Sequence, residues 1–426
     1  MFNFNYKILL SYLYMSELAL FGGKPIRTTS FPTWPKSSSA IKRSLIHTLE
    51  HEQWGVGSST IDQFNNAFSE FQDAKHCISL HSGTSALWVA LKAAGVEQGD
   101  EVILPAYTFI ATATAVILSN AIPIFCDIET ETGNIDPEDL RTKISERTKV
   151  IIPVHVAGSP VDMNPILKLA EEKRIKVIED AAQAHGATYN DIKVGALGLG
   201  GIFSFQTSKN MSSGEGGAIV TNDDDFADAC FSYHNCGRLR NSAWYEHHRL
   251  GSNLRMSAFN AAVLIPQLDS IKSDMDVRDI NREKLDNFIS KIDGLEPMKL
   301  CDNVSRSANH IYMFRYDETY FDNIPREIFF KAMQSEGVFT YKGWSPLYRE
   351  PLFITNENEY PWLRDKDYSS LSLTSTELFA EKQGVWLRQN HLLGNESDIH
   401  DIQNAIEKVT NYMKSEPKAF LDLAKK

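Results

Sequence analysis

The chain has 426 residues, of which 42% are hydrophobic and 23% are charged. This composition is ordinary for a globular protein, and the length allows two domains with buried cores. The formal net charge of −12 argues against a nucleic-acid partner, which would require a basic surface.

Residues 1–17 are predicted to be a disordered N-terminal extension. The apolar run 8–14 follows Lys7, but it is too short to span a bilayer and no small-residue cleavage site follows it. We interpret residues 1–14 as a disordered extension or as the result of a start codon assigned too early. No other segment is apolar enough to cross a membrane, so we expect no membrane partner and a cytoplasmic location.

The cysteines form no recognisable metal site or disulfide framework. Their odd number and irregular spacing suit a reducing compartment, and no metal is expected. The five are Cys77, Cys126, Cys230, Cys236 and Cys301.

From about residue 76 to residue 222, short apolar runs alternate with amphipathic segments, which predicts a largely parallel α/β sheet. The predicted strands are 77–80, 101–104, 122–126, 149–154, 176–178, 201–205 and 217–221. The predicted helices between them are 85–94, 111–119, 137–145 and 163–173.

The remaining sequence predicts a long helix and then a second, smaller α/β domain. The long helix is 266–289, and the alternating segment 310–316 predicts a half-buried strand. Further helices are predicted at 325–336, 377–387 and 399–413, with 343–376 mostly loop. We therefore expect a large domain at 18–270 and a small C-terminal domain at 271–426.

Lys209 is the most informative residue, because of what accompanies it. Asp180 closes an apolar run upstream, and Ser82-Gly83-Thr84-Ser85-Ala86 forms a small-residue turn that opens a helix. A lysine for a Schiff base, a carboxylate for a pyridine nitrogen and a phosphate-sized turn are what pyridoxal phosphate (PLP) requires. Each feature alone has an ordinary structural explanation, but the three in this order predict a PLP enzyme.

Four segments, 99–112, 179–186, 204–217 and 251–256, resemble the DegT/StrS family of PLP enzymes, mostly sugar and cyclitol aminotransferases. The resemblance extends over about residues 18–409. Ser204-Phe205-Gln206 and Trp34-Pro35 resemble the branch that contains glutamine-dependent scyllo-inosose aminotransferases and 3-amino-5-hydroxybenzoate synthases. The resemblance implies a fold-type I PLP-dependent transferase, with a mostly parallel sheet of the seven-stranded type and a smaller C-terminal α/β domain.

The resemblance also implies a set of cofactor-binding residues. Asp180 would hold the pyridine nitrogen in its protonated form, and Lys209 would bind PLP and then carry a proton between the substrate carbon and the cofactor. Gln183 would face the ring hydroxyl, and Phe109 would stack on the ring unless it is a core residue. The residues implied at the phosphate are Gly83, Thr84, Ser85 and Ser204, with Asn253 reaching it from the neighbouring subunit of a homodimer.

The sequence leaves the roles of several residues undecided. His185 is as well explained by a structural role as by a catalytic one. The sequence does not decide which basic residue binds the carboxylate of the amino donor. The candidates are Arg238, Arg240, His247, His248, Arg249 and Arg255. In the small domain, the residues left unassigned are Tyr341, Lys342 and Tyr348.

We therefore expect an aminotransferase that moves an amino group from L-glutamine or L-glutamate to a keto-cyclitol or keto-sugar. One alternative is an aromatising dehydratase like 3-amino-5-hydroxybenzoate synthase. Another is a non-catalytic, ligand-sensing regulator on the same fold, although the presence of Lys209, Asp180, Gln183 and Ser204 argues against it.

Overall fold

A computed structural model describes residues 17–354 and 359–424. The prediction for the N-terminal extension therefore lies almost entirely outside the described residues. None of the described helices is both long and apolar enough to cross a membrane.

The centre of the molecule is a seven-stranded sheet in the order β1-β9-β8-β5-β4-β2-β3. Its strands are β1 (His76–Leu80), β2 (Glu101–Pro105), β3 (Ile122–Cys126), β4 (Thr148–Ile151), β5 (Lys176–Asp180), β8 (Gly200–Ser204) and β9 (Gly217–Thr221). Strand β9 runs antiparallel to both neighbours, and the other pairings are parallel. Strands β2, β8 and β9 are buried throughout, as expected for a sheet covered on both faces. The predicted fold and its seven strands are confirmed.

Helices cover the sheet, and several begin with a side-chain cap. Ser82 accepts a hydrogen bond from Ser85 N, and Asp223 accepts one from Phe226 N, which satisfies otherwise unpaired amides. The α-helices between residues 39 and 234 are α1 (Ser39–His51), α2 (Ser59–Phe71), α3 (Gly83–Ala93), α4 (Ala111–Leu118), α5 (Pro137–Lys143), α6 (Met163–Lys173) and α7 (Asp224–His234).

The long helix α8 (Ala258–Ile289) joins two cores. Its first half buries Leu264 and Ile271 against the central sheet, and its second half buries Leu285 and Ile289 against the C-terminal elements. Those elements include the antiparallel strands β10 (Leu295–Pro297), β12 (Ile311–Tyr316) and β13 (Gly384–Arg388), and the helices α9 (Arg326–Ser335), α10 (Thr374–Leu378), α11 (Glu396–Ser415) and α12 (Pro417–Ala424). A separate small sheet contains β6 (Thr188–Tyr189), β7 (Ile192–Lys193) and β11 (Val304–Arg306).

The structure corrects two predicted elements. The predicted helix 377–387 is wrong in its second half, because Gly384–Arg388 forms strand β13 and pairs with β12. Only 374–378 is α-helical, and a single π-helical turn follows at Phe379–Gln383. Pairing with a strand about 70 residues away overrides the local amphipathic pattern. The long helix begins at Ala258, eight residues before the predicted start.

Candidate active site

Strand ends on one edge of the central sheet surround a cavity of about 510 Å³, here called the inner cavity. Asp180 ends β5 and Ser204 ends β8, while the segments after β1 and β2 supply the opposite wall. Ligands of open α/β sheets bind at this edge. The predicted site residues that line the inner cavity are Gly83, Thr84, Phe109, Asp180, Gln183, Ser204 and Lys209.

The N-terminus of α3 forms one end of the inner cavity. Gly83 is its first residue, and a Cβ atom there would lie 2.9 Å from Ser204 Cβ. Because glycine has no side chain, the helix amides and the Ser204 hydroxyl can lie close together. Such a helix end favours an anion the size of a phosphate.

Asp180 is buried, with 5% of its surface exposed. Burial raises the pKa of its carboxyl group, and a hydrogen bond from Thr112 Oγ1 at 2.8 Å opposes that rise. The amide of Ala182, at 3.2 Å, and the positive charge of Lys209 also favour the ionised form. The geometry therefore holds a carboxylate ready for a cationic group in the cavity.

Lys209 also lines the inner cavity, in the segment between β8 and β9. Burial lowers the pKa of its amine to about 8, although the charge of Asp180 acts in the opposite direction. The indole Nε1 of Trp34 donates to Lys209 O at 3.0 Å and fixes the backbone. A lysine with a lowered pKa is a better nucleophile near neutral pH than a surface lysine.

Gln183 and Phe109 complete the predicted set on this cavity. Gln183 Oε1 accepts a 2.7 Å hydrogen bond from Ala157 N, so its amide NH2 is the group available to a ligand. The side chain of Phe109 lines the cavity but is 53% exposed. This exposure rules out the core role that was the alternative to ring stacking for Phe109.

Two predicted residues do not line the inner cavity. The Ser85 hydroxyl lies 2.7 Å from Ser82 Oγ, and Ser82 lines the cavity instead. Asn253 is exposed and forms an isolated bridge with Asn235. A role for Asn253 at the cofactor would therefore need a second subunit.

His185 lies behind the wall of the inner cavity rather than on it. Its ring packs against Phe203 and Phe205, with centroids 5.4 Å and 5.6 Å away. Burial lowers its pKa to about 3, so the imidazole is neutral. Between the two interpretations left open by the sequence, this environment favours the structural one.

Next to the inner cavity lies an outer cavity of about 600 Å³. Its walls include three indole rings, and the rings of Trp344 and Trp386 meet edge to face at 4.6 Å. The two cavities are adjacent and share several lining residues. Those shared residues are Gln206, Ser208, His310, Ile311, Trp344 and Trp386.

The basic residues proposed for the donor carboxylate lie outside both cavities of their own chain. Arg240 pairs with Asp228 at 2.8 Å, and Arg255 donates to Asn235 Oδ1 at 2.9 Å. Of the small-domain residues, Tyr341 and Lys342 line the outer cavity. Tyr348 is buried and donates to Glu377 at 2.7 Å instead.

Sequence reasoning missed Thr112 and His310, which also line the inner cavity. Thr112 lies in the first turn of α4, and its amide donates to Phe109 O at 3.2 Å; its nearness in sequence to Phe109 could have revealed it. His310 begins an alternating strand segment, and no local pattern marks it as a site residue.

The α/β sheet brings a lysine and a buried carboxylate to one cavity at its strand ends. This combination of fold and site is typical of the PLP-dependent enzymes. The comparisons with known proteins agree. Residues 35–406 match the DegT/DnrJ/EryC1/StrS aminotransferase family, and the chain belongs to this family of PLP-dependent aminotransferases.

Individual relatives cover nearly the whole chain. An L-glutamine:2-deoxy-scyllo-inosose aminotransferase of Streptomyces lividus is 32% identical, over 93% of this chain and 98% of that protein. A 3-amino-5-hydroxybenzoate synthase of Amycolatopsis mediterranei (strain S699) is 32% identical, over 88% and 96%. The crystal structure of a 3-amino-5-hydroxybenzoic acid synthase superposes with a TM-score of 0.80 at 31% identity, covering 90% of this chain and all of that one.

Proposed function

We propose that this protein transfers an amino group from L-glutamine or L-glutamate to a keto-cyclitol or keto-sugar. The observation that carries the proposal is that Lys209 and Asp180 share one cavity, which adjoins a second cavity large enough for a substrate ring. A relative that is 32% identical is named for this chemistry on 2-deoxy-scyllo-inosose.

The residues of the inner cavity fit PLP, which supplies an electron sink for the carbon that exchanges the amino group. Asp180 would balance a protonated ring nitrogen, and Thr112 would keep Asp180 ionised. Gly83, Thr84 and Ser204 would hold the phosphate. The position of each group on the cavity wall supports these roles.

Lys209 would hold the cofactor and then act as the base. Once released, its amine would carry a proton between the substrate carbon and the cofactor, away from the donor carbon in the first half-reaction and to the acceptor carbon in the second. Its lowered pKa supports this role, because near neutral pH a larger fraction of the amine is then free of a proton.

We further propose a homodimer in which Asn253 serves the partner's cavity. Asn253 is exposed and outside its own cavity, and Phe109 is more than half exposed at the cavity mouth. Trp244 and Leu250, in the same segment as Asn253, are 52% and 93% exposed. Large exposed apolar side chains around a site are typical of surfaces that a partner covers.

An activity screen of both substrates tests the proposed function. Purified holoenzyme should lose its visible cofactor absorbance with L-glutamine or L-glutamate and regain it with a keto-cyclitol or keto-sugar. Recovery by neither class of acceptor would reject the aminotransferase proposal in this form. Formation of an aromatic product without any amino donor would favour the aromatising dehydratase.

A further inference from the structure

His310 lies at the junction of the two cavities and is 5% exposed. Its backbone amide donates to Ala157 O at 2.8 Å. The same residue, Ala157, also donates its amide to Gln183 Oε1. Ala157 therefore links the position of His310 to that of Gln183, which lines the inner cavity.

Hydrogen bonds determine which nitrogen of His310 carries the proton. Asn210 Nδ2 donates to Ala308 O at 2.7 Å, and a carbonyl oxygen can only accept. The other side of that amide, Asn210 Oδ1, therefore faces His310 Nδ1 at 3.1 Å. Because this oxygen also only accepts, Nδ1 must be the protonated nitrogen.

The ring of His310 is neutral. Burial lowers its pKa well below the ordinary value, and the nearby charges of Lys209 and Arg278 act in the same direction. With the proton held on Nδ1, Nε2 carries a lone pair and can only accept a hydrogen bond. Among the described residues, no side chain or backbone group donates to Nε2.

The position of this acceptor suggests what it binds. Lys209 and His310 both line the inner cavity, and His310 also lines the outer one, so a ketone with its carbonyl carbon beside Lys209 can extend its ring past His310. The indole rings of Trp344 and Trp386 give that space apolar walls suited to the C–H faces of a ring. In that orientation a hydroxyl group next to the carbonyl would be the substrate donor nearest to this junction.

We propose that His310 is a specificity-determining residue whose Nε2 accepts a hydrogen bond from a hydroxyl group adjacent to the keto carbon of the acceptor. This inference rests on the proposed function and deepens it, because it assigns the recognition of the acceptor to a particular side chain. Asn210 is a positioning residue that acts by holding the required tautomer.

The test separates the two half-reactions in the holoenzyme of His310→Leu and His310→Gln. Leucine removes the acceptor, whereas the glutamine oxygen can take the place of Nε2. The first half-reaction is followed as cofactor bleaching by L-glutamine, and the second as recovery on adding 2-deoxy-scyllo-inosose. His391→Leu is the matched control, because His391 is also 5% exposed but lines neither cavity.

For His310→Leu we expect kcat/KM of the second half-reaction to fall by about tenfold, the effect of one lost hydrogen bond. The first half-reaction should stay within about threefold, and His310→Gln should recover most of the loss. His391→Leu should leave both half-reactions within the same range. The first half-reaction also reports that each variant folds and binds cofactor.

Other outcomes would overturn the inference. Equal losses in both half-reactions would place His310 at Lys209 or the cofactor instead of the acceptor. A loss confined to L-glutamine, with L-glutamate unaffected, would mean that His310 binds the donor amide. If the wild-type enzyme accepts L-glutamine but aminates no polyhydroxy ketone, the proposed acceptor class fails and the role of His310 fails with it.

Discussion

Thr112 Oγ1 donates a 2.8 Å hydrogen bond to Asp180 Oδ2, although the two residues are 68 positions apart. The contact joins the first turn of α4 to the end of β5. It stabilises the charged form of a buried carboxylate, and this form is the one needed beside a protonated ring nitrogen.

Thr112→Val should lower kcat by about tenfold, because a hydrogen bond to a charged group contributes about 1.5–3 kcal/mol. Without the hydroxyl the pKa of Asp180 should rise further, so the acidic limb of the pH–rate profile should move to higher pH. Thr114→Val, on the same helix but outside the inner cavity, is the control. Similar losses in both variants would show a general effect on α4.

Asp180→Asn should fold and retain PLP but lose most of its turnover, because an amide cannot balance a pyridinium charge. Cofactor content and kcat should be measured on the same preparation. Near-normal turnover would mean that another group supports the ring nitrogen.

Lys209 should be the residue that carries PLP. Borohydride reduction of the holoenzyme followed by peptide mapping should place the pyridoxyl group there, and a label on another lysine would contradict the assignment. In the cofactor-free protein, acylation of this amine should have a pH midpoint near 8, the value to which burial lowers its pKa. Asp180→Asn should move that midpoint lower, because the variant removes the negative charge that opposes the shift.

Shared active sites can be tested by mixing Lys209→Ala with Asn253→Asp under conditions of subunit exchange. If Asn253 serves the partner's cavity, one site of each mixed dimer has both wild-type residues, and activity should return. Mixing Lys209→Ala with the double variant is the control and should recover nothing. Failure of the first mixture, with exchange verified by mass, would place Asn253 at its own chain's site or at none.

Gly343→Ala should destabilise the protein more than an ordinary glycine substitution. Gly343 has φ +77, and a Cβ atom would lie 2.3 Å from Tyr107 Oη and 2.5 Å from an atom of Trp386. Gly95→Ala, at φ +80 with no atom within 4 Å, is the control and should cost about 1 kcal/mol from backbone strain alone. Overpacking should add about 1–3 kcal/mol at Gly343, measured as the free energy of unfolding. Equal costs would mean that the aromatic cluster adjusts freely.

The sequence by itself determined the sheet, because each buried strand is a short apolar run with turn signals at its ends. It also indicated the chemistry of the site. Lys209, Asp180 and the turn at Gly83 lie in segments whose residue types suit a lysine–carboxylate–phosphate constellation, and parallel strands bring their ends to one edge. The domain division at 270, the cofactor contacts of these residues and the subunit role of Asn253 stay predictions.

Only the tertiary structure decided the orientation of individual side chains. The Ser85 hydroxyl lies at hydrogen-bond distance from Ser82, the residue that caps α3. Strand β13 replaces part of a predicted helix because it pairs with β12. Thr112 and His310 reach the cavity through contacts with Asp180 and Asn210, far away in the sequence. Local patterns record propensity and periodicity, whereas these positions depend on hydrogen bonds that form only when distant segments pack together.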